Sequence, residues 1–198
     1  IIETIWARQK PSDLFGAQPN ALAFDASGRK LFVANGTQNA VAVFDFNPGK
    51  SELRGLIPVG WFPGAIAYDA QHQQVCVANI KGFGNRKEKD KQSGGTGFNT
   101  HQYHGTLSLV SAPSSRELAR MTTVALQNMR YGLLQEAKLP ARPGQPPRPV
   151  PERVGEPSVF KHVIYIIKEN RTYDQVLGDL PEGNGDPSLC IFGERVTP

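Results

Sequence analysis

The chain has 198 residues, with 22 Lys and Arg against 18 Asp and Glu, which gives a net charge of +4 and a pI near 9.1. This mild basic excess forms no stripe interleaved with aromatic residues, so we expect no nucleic-acid partner. No apolar run approaches the roughly 18–20 residues that span a bilayer, so no transmembrane segment is predicted. Because the sequence starts at Ile1 and stops at Pro198, just after an apolar run, we expect a fragment of a longer protein. Cys76 and Cys190 are expected to be free thiols.

An internal repeat organises the first half of the chain. The string PNALAFDA at residues 19–26 recurs 44 positions later as PGAIAYDA at 63–70. The string LFVAN at 31–35 recurs at the same offset as VCVAN at 75–79. Two apolar strands per copy, each bounded by turn residues, predict a repeated β-unit.

Each copy extends beyond the matched strings. Third strands are predicted at 40–45 and 106–111, and fourth strands near 53–59 and near 119–126. Residues 1–6 fit the fourth strand of a preceding unit. Four short strands in a repeat of about 40 residues are typical of a β-propeller blade, so we predict a partial propeller of two blades and a strand. An open sandwich of about eight strands is the alternative.

Both copies resemble the YVTN-type propeller repeat. In that repeat a Pro-Asn or Pro-Gly pair, an apolar strand and a Val-Ala-Asn segment recur, here at 33–35 and 77–79. The departure is Phe32 and Cys76, where the family usually has Tyr. The asparagine that ends each segment is expected to cap a turn, and the string DASG at 25–28 predicts a hairpin turn.

Two segments of different composition follow. Residues 80–104 form a Gly-, Lys- and Asn-rich insertion with His101 and His104 in H-x-x-H spacing, for which we expect a solvated loop, with a metal site as the alternative. A short helix is predicted at 129–138. Closely spaced prolines then predict an extended, polyproline-like spacer, so that residues 132–160 form a linker between two domains.

The stretch HVIYIIKENRTYDQVLGDL, which begins at His162, marks a new domain. Its unbroken apolar run at 163–167 is typical of a parallel strand buried on both faces. Thr172 and Gln175 form a capping-box pattern, which predicts a helix that starts at Thr172 and stops at Gly178. A ligand site is expected between such a strand and helix, where an anion such as phosphate is favoured.

Three polar residues occupy that turn. Glu169 and Asn170 offer a carboxylate and an amide oxygen, which suit a divalent cation. Arg171 could pair with a phosphate or with a neighbouring carboxylate. From the residues alone, the alternative is a solvated turn in which Asn170 bonds its own backbone.

The same stretch resembles the opening of the bacterial phosphoesterase family that includes phospholipase C and acid phosphatases, within the alkaline-phosphatase superfamily. The family signature is Glu-Asn-Arg, then Ser or Thr, an aromatic residue and Asp, and residues 169–174 match it throughout. The resemblance implies that Glu169 and Asn170 bind the active-site divalent metal, and it leaves Arg171 as a substrate-binding candidate. The resemblance covers about 40 residues. The nucleophile, a Ser or Thr, is therefore expected beyond Pro198.

The predicted fold is mainly β: a partial YVTN-type propeller over residues 1–131, the Pro-rich linker, and the first strand and helix of an α/β phosphoesterase domain over 161–198. The expected function is that of a fragment of a metal-dependent phosphoesterase acting on phosphate esters, periplasmic or secreted as the resemblance implies. A protein partner for the propeller is also expected. The alternative is a propeller binding module for a protein or surface polymer, joined to a non-catalytic domain.

Overall fold

The computed structural model describes residues 1–13, 16–82, 104–167 and 169–196. The described chain is mainly β, with two antiparallel sheets and few helices. The strands are β1 (Pro19–Phe24), β2 (Lys30–Asn35), β3 (Ala40–Asp45), β4 (Glu52–Pro58), β5 (Trp61–Asp69), β6 (Gln74–Gly82) and β7 (Thr106–Ser111). The helices are α1 (Ser115–Asn128), α2 (Tyr131–Ala137) and α3 (Tyr173–Leu177).

The first sheet has the strand order β1-β2-β3-β4 and the second sheet the order β5-β6-β7. The strands of the repeat are confirmed, and so is the hairpin turn at 25–28, where Gly28 donates to the Asp25 carbonyl at 3.0 Å with φ of 66°. The two sheets also repeat in register, because Ala21 pairs with Ala34 in the first and Ala65 with Ala78 in the second. The residue before each repeat proline has a positive φ: 49° at Gln18 and 60° at Phe62.

A buried apolar layer joins the two sheets. It combines Phe32 and Val43 of the first sheet with Val75 and Val77 of the second, all 2% exposed or less. The Phe32 ring stacks on that of Tyr68, with 5.7 Å between centroids and an interplanar angle of 11°. Burial of these side chains supplies the hydrophobic free energy that holds one sheet on the other.

The opposite face of the first sheet is covered by other parts of the chain. Leu31, Phe44 and Leu56 on this face form a second buried cluster, against which Ile5 and Ala7 pack. Residues 1–6 were expected to be a strand, and that prediction is wrong: they have no strand pairing. They are held by side-chain contacts instead, since the Glu3 carboxylate accepts a hydrogen bond from the Ser51 backbone at 2.8 Å.

The fourth strand predicted near 119–126 is wrong, because these residues belong to helix α1. Ser114 and Glu117 form a capping box that starts the helix, with the Ser114 backbone donating to Glu117 Oε2 at 2.9 Å. The helix lies on the edge strand β4, where the Leu56 backbone N–H donates to Thr122 Oγ1 at 2.8 Å. It therefore covers an edge of the first sheet rather than completing the second.

The repeat asparagines are both buried but bond differently. Asn35 stands at the N-cap position of the 3-10 turn at 36–38, but its side chain makes no capping hydrogen bond, so the predicted cap is not formed; Nδ2 donates to Gln38 Oε1 at 2.8 Å. Asn79 Nδ2 instead donates to Ser108 Oγ at 2.8 Å and so joins β6 to β7. The difference follows from the sequence, because the three-residue turn of the first copy is replaced by the long insertion in the second.

Beyond α2, which confirms the helix predicted at 129–138, the Pro-rich segment is not a straight spacer. Arg142 binds Glu156 with both ends of its guanidinium group, at 2.6 Å from Nε to Oε1 and 3.0 Å from Nη2 to Oε2. Glu152 pairs with the same arginine at 2.8 Å. These ion pairs hold the two ends of the segment together, so the chain turns back between them.

The described chain divides into two compact units by its internal contacts. The first contains both sheets, α1 and α2, and also residues 152–156. The second contains residues 144–151 and the described residues from 157 onward. Within this second unit, an isolated parallel bridge pairs Arg148 with Ser158, and the Arg148 backbone donates to the Pro157 carbonyl at 3.2 Å.

Candidate functional site

The predicted buried strand at 163–167 is not formed. These five residues have no secondary structure, and their side chains are 73–87% exposed. A strand needs a neighbour to accept its backbone hydrogen bonds, and a strand apolar on both faces needs a covered sheet around it. In the described residues of the second unit no other strand is present to supply that sheet.

The predicted helix is confirmed at both ends. Thr172 is the N-cap of α3, and its backbone N–H donates to Gln175 Oε1 at 3.2 Å. Gly178 is the C-cap. The helix has only five residues, so its dipole is small. It therefore gives little support to the anion site that was predicted at its N-terminus.

Glu169, Asn170 and Arg171 lie consecutively on the surface just before α3. Each is exposed, and none makes a hydrogen bond or an ion pair with the rest of the described chain. The carboxylate and the amide oxygen are thus available donors of the hard type that Mg²⁺, Ca²⁺ or a similar cation prefers. Groups of three or more His, Cys, Asp or Glu placed to hold a metal are not found among the residues that the structure describes.

The last two residues of the signature have a structural role that the sequence reasoning missed. Asp174 Oδ1 accepts a hydrogen bond from the Asp186 backbone at 2.9 Å. A Cβ added at Gly185 would lie 3.0 Å from Tyr173 Cε1, so the glycine allows the loop to approach that ring. Tyr173 and Asp174 therefore hold the Gly-Asn-Gly-Asp loop at 183–186 against α3, and the alternating glycines were the signal for it.

Other sequence candidates do not join this group. His101 lies outside the described residues, so the predicted loop and its alternative metal site are not described. Cys76 and Cys190 are both free and half-buried. Cys76 lies on β6 and Cys190 follows a 3-10 turn in the second unit.

A cation–aromatic cluster lies at one end of the second sheet. Lys81 Nζ is 5.3 Å from the Trp61 ring centroid and 4.9 Å from that of Phe62. Trp61 is 43% exposed. The Phe62 backbone donates to Asn39 Oδ1 at 2.9 Å, which ties the start of β5 to the residue before β3. Partly exposed aromatic and cationic side chains of this kind are common in binding surfaces.

A cleft of about 320 Å³ beside the first sheet is lined by two cations, Lys30 and Arg54, and one carboxylate, Asp45. Asp45 is bound by Lys30 at 3.2 Å and by Arg54 at 3.1 Å. Arg54 also pairs with Glu52 at 3.4 Å, so two carboxylates face the two cations and neither cation is left unopposed for an anionic ligand.

No protein-family model and no curated protein matches the sequence. Among solved structures, a chain of hydrazine synthase from Kuenenia stuttgartiensis aligns with a TM-score of 0.31 and 19% identity over 38% of this chain. The alignment spans 21% of that chain. Within the described ranges, none of the helices is long and apolar enough to cross a membrane.

Proposed function

We propose that this chain is part of a metal-dependent phosphoesterase that hydrolyses phosphate ester bonds. The observation that carries the proposal is the turn before α3, where Glu169, Asn170 and Arg171 present polar groups on the surface that bond to no other described residue. The residues that follow are anchored, by the cap at Thr172 and by the bond from Asp186 to Asp174. A turn with available donors in front of a fixed helix suits ligand binding better than a purely structural role.

Each of the three residues has a role in this proposal. Glu169 and Asn170 bind the divalent metal through oxygen atoms, and Arg171 binds a phosphoryl oxygen of the substrate with its planar guanidinium group. When bound, the cation would polarise phosphoryl oxygens and assist an attacking hydroxyl group. Two protein donors do not complete a coordination shell of six or so ligands. The remaining ligands and the Ser or Thr nucleophile are proposed to lie beyond Pro198, and the location to be periplasmic or secreted.

We also propose that the two sheets belong to a β-propeller. The support is the repeat itself, including a compensating change of size at one contact. A Cβ at Gly36 would meet the side chain of Asn20, whereas in the second copy a Cβ at Gly64 would meet that of Ile80. Asn20 corresponds to Gly64 and Gly36 to Ile80 at the repeat offset, so in each copy one partner of this contact is a glycine.

The test uses the protein expressed from its complete gene. Glu169→Ala should lower bound divalent metal, measured by inductively coupled plasma mass spectrometry, and reduce hydrolysis of p-nitrophenyl phosphate or bis(p-nitrophenyl) phosphate by a factor of about 100. Asn170→Ala should have the same effect more mildly, because an amide contributes less charge to a hard cation. Glu182→Ala, also an exposed glutamate of the second unit, is the matched control and should change neither quantity.

Equal metal content in wild type and Glu169→Ala would show that the turn does not bind metal. Loss of activity with unchanged metal content would point to a different role for this carboxylate. The two phosphate esters also separate monoesterase from diesterase activity, because only the diester lacks a free phosphate dianion.

The second candidate is a binding module for a protein or a surface polymer. It is favoured by the cluster of Trp61, Phe62 and Lys81, which places aromatic rings and a cation on one surface. An array of bacterial surface polysaccharides probed with the wild type and with Trp61→Ala would test it. Retained signal for the tryptophan variant would exclude this cluster as the binding surface.

A further inference from the structure

In the part of the chain that the structure describes, one face of the second sheet is apolar and exposed. Its residues come from all three strands and lie next to each other in the sheet register: Ala65, Ala67, Cys76, Ala78, Leu107 and Leu109. We call this set the open face. Leu107 is 63% exposed and Leu109 is 57% exposed, whereas the opposite face of the same sheet, with Val75 and Val77, is buried against the first sheet.

The repeat identifies the equivalent of the open face in the first sheet. At the repeat offset, Cys76 corresponds to Phe32, and Ala65, Ala67 and Ala78 correspond to alanines 21, 23 and 34. In the first sheet Phe32 is 1% exposed, because the second sheet packs on it. The same surface, built from the same alanines, is therefore a sheet-binding surface in one copy and uncovered in the other.

We propose that the open face binds a further antiparallel sheet of the same repeat, which presents a strand with the Val-x-Val pattern of β6. Continuity with the existing interface supports this occupant, since the second sheet already presents Val75 and Val77 to the first. Cys76 is smaller than Phe32, so the incoming sheet has room for a larger side chain there. The proposal rests on the propeller part of the proposed function and not on its metal site.

A second copy of the chain is a poorer occupant for two reasons. Head-to-tail stacking would need the outer face of the first sheet, which Ile5, Ala7 and α1 already cover. Face-to-face pairing would use a footprint of roughly 300 Å², from three strands about 4.8 Å apart and, over the six residues of β7, about 20 Å long. A stable interface needs about 800 Å² per partner. An apolar face of this size is too small to hold a separate molecule, so it is better suited to another sheet of the same polypeptide.

The reactivity of Cys76 reports whether the open face is covered. These 198 residues contain two cysteines, so labelling of Cys76 is followed by mass spectrometry on its own proteolytic peptide, which keeps it apart from Cys190 and from thiols elsewhere in the protein. In the protein expressed from its complete gene, we expect a maleimide to label Cys76 about 100-fold more slowly in buffer than in urea, at every protein concentration. Leu109→Asp should restore fast labelling, because it places a charge in the interface. Leu133→Asp, at a 61% exposed leucine of α2, is the matched control and should not.

Three results would overturn the proposal. The first is labelling of Cys76 within about tenfold of its rate in urea, which would mean that the face stays uncovered. The second is protection that disappears on dilution, which would assign the face to a second copy. The third is protection that survives Leu109→Asp. If that variant does not fold by circular dichroism, Leu107→Ala replaces it, and the expected faster labelling is the same. None of these readouts depends on phosphoesterase activity, so the two proposals can fail separately.

Discussion

Replacing Gly55 with alanine tests whether α1 is an integral part of the first sheet. Gly55 lies on β4 directly beneath the helix, and an added Cβ would lie 2.8 Å from Leu118 Cγ and close to Thr122 Oγ1. The adjacent Leu56 backbone N–H donates to that hydroxyl at 2.8 Å. Glycine therefore lets α1 pack directly on β4, whereas the Cβ of any other residue would push the helix away from the strand.

The size of the effect follows from three contributions. Overpacking a well-packed contact costs about 1–3 kcal/mol. Displacing Thr122 would also weaken its hydrogen bond with Leu56, which contributes about 0.5–1.5 kcal/mol. In the opposite direction, alanine raises the free energy of unfolding by about 0.5–1 kcal/mol, because it has less backbone entropy to lose on folding than glycine. The net expectation is a free energy of unfolding lower by about 2 kcal/mol, or a Tm lower by about 4–8 °C.

Urea unfolding followed by circular dichroism measures this change. The matched control is Gly132→Ala in α2, where an added Cβ would have no atom within 4 Å. That substitution should stabilise the protein by up to about 1 kcal/mol through helix propensity. If Gly55→Ala shifts the unfolding midpoint no more than Gly132→Ala does, then α1 does not pack on β4 as described.

Three further outcomes are expected. The hydrogen bond from Arg142 lowers the pKa of Glu156 from 4.5 to about 2, so its stabilising contribution is present above about pH 4.5 and is lost as the pH falls toward 2. Glu156→Gln should therefore flatten the pH dependence of urea unfolding in that interval. Ser114→Ala removes the cap of α1 and should cost about 1 kcal/mol in the same assay, with reduced helical circular dichroism. Phe32→Ala should lower the free energy of unfolding by about 3–5 kcal/mol, whereas Phe24→Ala, at a 42% exposed ring, should lower it clearly less. Equal losses of stability would contradict the buried layer between the sheets.

The strands of the repeat could be predicted because two signals agreed. Apolar strings bounded by turn residues indicated strands, and the constant offset between copies fixed their order. The packing of Phe32 against Tyr68 could not be predicted in the same way. Alternation shows which residues share a face, but not which other face they meet.

Helix α1 shows how an expected repeat can override a local signal. Ser114 and Glu117 carry the same capping-box pattern that correctly predicted the start of α3 at Thr172. This local pattern is typical of a helix start, whereas the repeat predicts a fourth strand at 119–126. The structure resolves the conflict in favour of the local signal, because the Thr122 hydroxyl and the small Gly55 let a helix cover β4.

Some features around the turn at Glu169 depend on residues nearby in the sequence, and others depend on distant parts of the fold. The cap at Thr172 depends on a residue three positions away, so the sequence predicts it directly. The strand at 163–167 depends on neighbours from other parts of a sheet, and its apolar residues are exposed because the described second unit has no strand to pair with them. The proposed metal binding by Glu169 has the same kind of dependence, since a coordination shell draws ligands from separate elements. The metal content of the Glu169→Ala variant is therefore the more direct measurement, because it reports the assembled shell rather than the local pattern.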